Sequence, residues 1–457
     1  MTKSNKPVVG LLLLLFFTTM HSRAQEPGGV QRFSLEQAID YALKNNTEVL
    51  NADLENKISQ KQVNEIMADG LPQVSAMLDV VNNHNIQTAF VPANAFDPNG
   101  DENEVAALAF GVNYSGLASL RVEQMIFNGS YFVGLKAAKT FTELSKKAHI
   151  KTQIDVIEAV SKAYYTVLVN REVAELVNKN FSRLDSLLAD TKIMQQNGFA
   201  EKIEVDRIQV EYNNAKVEKD HLDKMLHLSE SLFKYQAGLP LNAEVDLTDQ
   251  IDAITLDKHV ETVNEFNYDN RVEFSSLQTQ KALNELDLLN TRSQFMPKVN
   301  LYATYGANTG TQNFGGLFNL NDNPWHRLGV IGIGMNWQIF DGMRKSSVAQ
   351  QRRYKARQIE NDISTAMATI ELEIEQGINN YNKNIDRMNA QKENMALADN
   401  IYNTAEIKYK EGVGSNSEVL DADASLKQAQ TNYYNALYDA LVSRVELQKA
   451  LGELHKQ

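Results

Sequence analysis

The feature that most constrains this chain is that it is written twice. Glu48 lies 24 residues before Pro72, and Glu273 lies 24 before Pro297. The text after each proline is similar, LPQVSAML at 71–78 and MPKVNLYA at 296–303. IFNG at 126–129 is answered by IFDG at 339–342. From Gly129 to Gly198 is 69 residues, and from Gly342 to Gly412 is 70; Gly198 to Gly238 and Gly412 to Gly452 are both 40. One gap carries most of the difference, Pro72 to Phe127 against Pro297 to Phe340. A duplicated chain must build two similar units, each of which reads helix, strand, strand, long helix, turn, shorter helix.

The helices carry the strongest periodicity. Ile363, Met367, Ile370, Ile374, Ile378, Tyr381, Ile385 and Met388 step by three or four, as do Ile150, Ile154, Ile157, Tyr164 and Leu168. These spacings predict amphipathic core seams of coiled-coil type. The chain has no proline between Pro98 and Pro240 or after Pro324, so nothing forces a kink. About 70 residues at 1.5 Å each make a rod of roughly 100 Å. A return helix of about 40 residues and a helix over 268–294 would together match one tall helix. Ser34 and Gln37 predict a capping box at the first helix.

The strands show period two. Val74, Ala76, Leu78 and Val80 form one face, and Leu120, Val122, Gln124 and Ile126 another. Val299, Leu301, Ala303 and Tyr305 form a third, and Ile331, Ile333, Met335, Trp337 and Ile339 a fourth. A half-buried soluble sheet alternates in the same way, but ten to thirteen residues per strand also fits a tilted strand crossing a bilayer, which needs about 9–11. Tyr114, Phe127, Tyr305, Trp325, Trp337 and Phe340 fall where an aromatic girdle would sit. Residues 83–113 and 307–326 read as polar surface loops on the outer side, with no site. Gly332-x-Gly334 lies inside a strand and reads as close packing.

Lys3 and Lys6 precede an apolar run from Val8 to Phe17, and Ser22-Arg23-Ala24 follows. That order predicts a secretory signal peptide, residues 1–24, cleaved after Ala24. The run is too short for a membrane anchor, which needs about 20 residues. Removing Lys3, Lys6 and Arg23 takes the net charge from −13 to −16. With 45 basic against 58 acidic residues and no dense Lys/Arg cluster, nucleic-acid binding is not expected. There are no cysteines, which excludes disulfides and thiolate metal sites. His221 and His227 do not share a helix face, GVGSNS lacks the lysine of a phosphate loop, and no nucleophile motif occurs. No enzyme activity, cofactor or metal is expected.

Four strands cannot close a barrel, and an open sheet edge in lipid leaves backbone groups unsatisfied. Other copies must therefore complete the wall, and the residues alone allow two, three or four. At this point the doubled order resembles the TolC family of outer-membrane efflux channels, from about Phe33 to the end. The most specific text is YKEGVGSNSEVLDADASLKQAQTNYYNALYDALVSRVELQKALGEL, 409–454, which resembles the family's second tip hairpin and final helix. NGFAEKIEVDRIQVEYNNAKV is a weaker first match. The resemblance implies a mainly α chain with membrane β structure. Four strands per protomer would contribute to a twelve-stranded trimeric β-barrel, continued by a long α-helical coiled-coil barrel. It implies a homotrimer in the outer membrane with its helices in the periplasm. It implies as partners outer-membrane lipid, a periplasmic adaptor (membrane fusion) protein and an inner-membrane efflux transporter. The expected divisions are repeat 1 over 25–238, an equatorial belt over 239–267 and repeat 2 over 268–457.

Gly412 and Gly414 are expected to take positive φ where the long helix ends, and Ser415 with Glu418 to form a capping box. Glu418 and Asp421 are i, i+3 and share a face. The resemblance maps this pair onto an acidic constriction at the tunnel entrance. It matches Tyr409 to a tyrosine that helps hold the entrance shut and places Glu204 at the acidic partner position. Gly414 stands where the family has an arginine, and Ile203 replaces a hydroxyl residue beside Glu204, so the resemblance leaves open whether the entrance uses a charged latch or is held by other contacts. Gly198 and Phe199 at one turn, and Gly412, Val413, Gly414 and Ser415 at the other, are the expected adaptor-binding tips. The expected function is a passive exit duct of a tripartite efflux system. The alternatives are an exit duct for type I protein secretion, or a coiled-coil scaffold of the cell envelope.

Overall fold

The computed structural model describes residues 30–95, 103–251, 254–256, 259–261 and 265–455. The expected signal peptide lies outside them. The chain opens with β1 (Gln31–Phe33), α1 (Leu35–Asn45) and α2 (Thr47–Ala68). It continues with β2 (Gln73–Asn82), β3 (Thr88–Pro92), β4 (Val105–Ala109), β5 (Tyr114–Phe127), α3 (Gly129–Gln196) and α4 (Lys202–Ala237). After β6 (Val245–Leu247) come α5 (Val272–Ser293), β7 (Lys298–Thr311), β8 (His326–Asn336), α6 (Arg344–Lys410) and α7 (Asn416–Ala450). α3 and α6 run unbroken for 68 and 67 residues.

The seam expected on α6 is a core: Ile370, Ile374, Ile378, Tyr381 and Ile385 are buried against Ala440, Leu447 and Ala450 of α7. Each such side chain contributes about 1.5–3 kcal/mol by leaving water. Tyr164 and Leu168 of α3 sit in a second cluster with Phe233 of α4 and Leu441 of α7. The box at α1 forms as expected: Ser34 Oγ accepts from Gln37 N–H, and the Gln37 side chain accepts from Ser34 N–H. The first helix is not continuous, however. Asn46 ends α1 in extended backbone and caps α2 with its side-chain oxygen on Glu48 N–H. Its amide donates to the Gln236 carbonyl at the end of α4, 2.8 Å away. In the other half, Arg271 at the start of α5 donates to the Ala450 carbonyl at the end of α7, 3.0 Å away. A polar side chain at the top of a short helix thus ties down the last turn of each return helix.

β2, β5, β7 and β8 form one antiparallel sheet in that order. Register puts Val74, Ala76, Leu78 and Val80 level with Val122, Leu120, Ala118 and Gly116. Leu120 faces Tyr305, Val122 faces Ala303, and Ile331, Ile333 and Met335 face Ala303, Leu301 and Val299. One face is therefore apolar from strand to strand, and its large side chains are exposed. Its single charged residue is Arg327, at the β8 end opposite Met335. The opposite face carries Asp79, Arg121, Glu123, Asn300 and Tyr302. There Arg121 lies over the Tyr302 ring, 5.1 Å from its centre. A Cβ on Gly332 would lie 2.6 Å from the Tyr302 ring, so the close packing expected at this glycine is real.

Four expectations for the strands and their loops need correction. Ile126 falls at a register shift between Met125 and Phe127 and leaves the ladder. Trp337 and Ile339 lie beyond the end of β8. The stretch 83–113 contains the hairpin β3–β4. The second loop is shorter than read, because β7 runs to Thr311, and it is not simply polar, since Phe314, Phe318 and Leu320 project from it. Among the described residues, no helix is long and apolar enough to cross a membrane.

Candidate functional site

Both long helices end in the same turn. Gly198 and Gly412 have φ of 76° and 74°, and a Cβ on either would meet nothing within 4 Å. Glycine is thus needed there for the left-handed backbone and not for space. Phe199 N–H donates to the Met194 carbonyl, 2.8 Å, and Val413 N–H to the Lys408 carbonyl, 3.0 Å. Each bond closes the last turn and turns the next side chain outward. Phe199 is 80% exposed and Val413 78%.

Gly414 corrects the sequence reading. Its φ is not positive; a Cβ there would instead approach Lys408 Cβ to 2.9 Å. Its lack of a side chain lets the returning chain lie against α6. Ser415 Oγ accepts from Glu418 N–H at 3.3 Å, but the reciprocal half of the expected box is absent, so the Glu418 carboxylate is not spent on the cap. Glu418 and Asp421 are both exposed and line one groove of about 580 Å³ between α6 and α7, with Leu397, Ile401 and Lys408. The shared face expected from their spacing is therefore present.

Tyr409 and Glu204 are near the turn but do not meet through side chains. The buried Tyr409 hydroxyl lies 3.3 Å from Thr191 Oγ1 of α3, itself fully buried. Glu204 is engaged through its backbone: its carbonyl accepts from Asn416 Nδ2 at 3.3 Å. Neutral hydrogen bonds thus join the two hairpins at their ends.

Two turns deeper is a cluster that sequence reasoning missed. Asp423 of α7 is buried, pairs with Lys427 at 2.8 Å and faces Arg183 of α3 at 3.9 Å. Arg183 also lies over the Tyr402 ring of α6, 4.5 Å from its centre, and bonds Asn180. Burial, then the nearby Glu406, push the Tyr402 phenol up. The available signal was a carboxylate at a seam position: Asp423 falls in the buried series Asn416, Val419, Asp423, Leu426.

Residues 276–453 match the family model described as outer membrane efflux protein. The chain is 22% identical over 436 residues to the outer membrane protein TolC of Vibrio cholerae, covering 93% of this chain and 92% of that one. It is 23% identical over 437 residues to the probable efflux pump outer membrane protein TtgC of Pseudomonas putida, covering 94% and 85%. Among solved structures, the MtrE outer membrane channel of Neisseria gonorrhoeae superposes with a TM-score of 0.70 at 16% identity, over 92% of this chain and 88% of that one. The CmeC outer membrane channel of Campylobacter jejuni gives 0.69 at 16%, over 92% and 85%. The resemblance to the TolC family of outer-membrane efflux channels is borne out.

Proposed function

We propose that this TolC-like chain is one third of an outer-membrane exit duct, a homotrimer whose pooled strands form a twelve-stranded barrel above a periplasmic helical tunnel. One observation carries the reading. The four-stranded sheet exposes a continuous apolar face, while β2 and β8 each pair on one side only. In lipid such a face is favoured, whereas such edges are not, so neighbouring copies must pair with them. The polar face with Asp79, Arg121 and Glu123 then lines the lumen. The chain is not an enzyme. It works passively, with a periplasmic adaptor at the tips and an inner-membrane transporter supplying the energy. Phe199 and Val413 offer the adaptor apolar anchors beside Gly198, Gly412, Gly414 and Ser415, where little side chain intervenes. Glu418 and Asp421 form the entrance constriction, held by Tyr409 and by the Glu204–Asn416 contact. The divisions are repeat 1 to residue 238, a belt over 239–267 and repeat 2 from 268.

The test is extraction. Carbonate or high salt should leave the protein in the membrane pellet and detergent should release it. Release into buffer without detergent would support the scaffold reading instead.

A further inference from the structure

The connection between β7 and β8 does not stand away from the sheet. It folds back over the outer end of the apolar face, and three contacts hold it there. A Cβ on Gly116 would come within 2.9 Å of the Trp325 ring, so the rim of the indole lies against that glycine. Asn323 Nδ2 donates to Thr309 Oγ1 at 2.7 Å. The Phe314 ring meets Tyr114 edge to face, 5.7 Å between centres. Gly116, Thr309 and Tyr114 all have the strand parity of Leu120 and Tyr305, on the apolar face. Within the loop, Trp325 Nε1 donates to the Leu317 carbonyl and the Leu317 side chain is fully buried.

A loop with this much internal anchoring would be expected to turn its polar side to water. At its apex this one also exposes apolar side chains, between the exposed Asn319, Asn321 and Asp322. Phe318 is 68% exposed and Leu320 67%, and Phe318 extends the ring series from Tyr114 through Phe314. A short apolar ridge thus stands at the outer limit of the apolar sheet face and continues it outward.

Taking the membrane reading of the sheet as its premise, we infer that residues 314–320 are a lipid-docking ridge. Phe318 and Leu320 insert into the outer leaflet at the boundary between acyl chains and headgroups. Continuity with the apolar band favours lipid over a protein partner. Phenylalanine and leucine have no polar handle, so their place is below the headgroups, unlike the tryptophan and tyrosine of an interfacial girdle.

The chain has no cysteine, so single-cysteine variants report one place each. Phe318→Cys and Ile333→Cys in the full chain, labelled with bimane, would be reconstituted in phosphatidylcholine–phosphatidylglycerol vesicles. The vesicles carry nitroxide lipids labelled either high or low on the acyl chain. The label at 318 should lose most of its fluorescence to the shallow nitroxide, and the label at 333 to the deep one. A label at 318 quenched only by an aqueous nitroxide, or by neither kind, with 333 still quenched by lipid, would overturn the ridge while leaving the barrel standing. The second of these outcomes would place a neighbouring copy over it. No lipid quenching at either position would overturn the premise itself.

Discussion

The hydroxyls of Tyr409 and Thr191 lie 3.3 Å apart, joining the last turn of α6 to α3 just inside the two tips. Removing either partner costs about 1 kcal/mol, a factor of roughly five in an equilibrium. Tyr409→Phe and Thr191→Val should each shift the entrance toward its open form and raise mean conductance in planar bilayers. The double variant should add little to either single one. Wild-type conductance in both, with assembly intact, would remove this contact from the closed state.

Glu418 and Asp421 line one groove, and the cap leaves the Glu418 carboxylate free. Polyvalent cations added on the periplasmic side should block the channel. Glu418→Gln with Asp421→Asn should weaken that block several-fold while single-channel current persists. Unchanged block would move the constriction elsewhere.

For the tips, the informative substitutions are Phe199→Glu and Val413→Glu. Gly412 is a poor test, because any side chain at φ 74° adds about 1–2 kcal/mol of backbone strain. The two glutamates sit on exposed positions and should spare folding. They should abolish export in cells and crosslinking to the adaptor while the oligomer still assembles. Normal export by the double variant would contradict adaptor docking at these residues.

A ladder of charges higher on the rods sets an acid limit. Lys449 of α7 bonds Asp155 and Glu158 of α3 at 2.9 and 2.6 Å, and Lys162 bonds Glu158 at 2.7 Å. Burial alone raises the Glu158 carboxyl, but hydrogen bonds from Lys162 and Lys449 outweigh it and hold it below its ordinary 4.5. A carboxyl depressed in the folded state stabilises above its unfolded value and loses that contribution as pH falls through the folded one. Thermal stability should therefore decline below about pH 4.5, less steeply in Glu158→Gln, which already lacks the contribution. Parallel pH profiles for the two proteins would contradict this role.

What was legible in the sequence is what local periodicity encodes. The α6 seam, the alternating strand faces, the Ser34–Gln37 box and the left-handed Gly412 each depend on residues within a turn or two of one another. What was hidden depends on partners far along the chain. Asn46 caps the second helix locally, but its amide also reaches Gln236, 190 residues away. Thr191 cannot be found from Tyr409, nor Arg183 from Asp423, without knowing that α3 packs beside α6 and α7. Gly414 shows the same limit at short range: two glycines in one turn look alike in text, but one supplies a dihedral and the other clearance. The loop after β7 reads as polar from its composition, while its fold tucks Trp325 inward and leaves Phe318 outside.

The most direct measurement is the native mass of the detergent-solubilised particle. More than one chain mass is required, since among the described residues the sheet ends in two unpaired edges, and three are predicted from the resemblance to the TolC family. A stable, folded single chain that needs no detergent would contradict the account at its root.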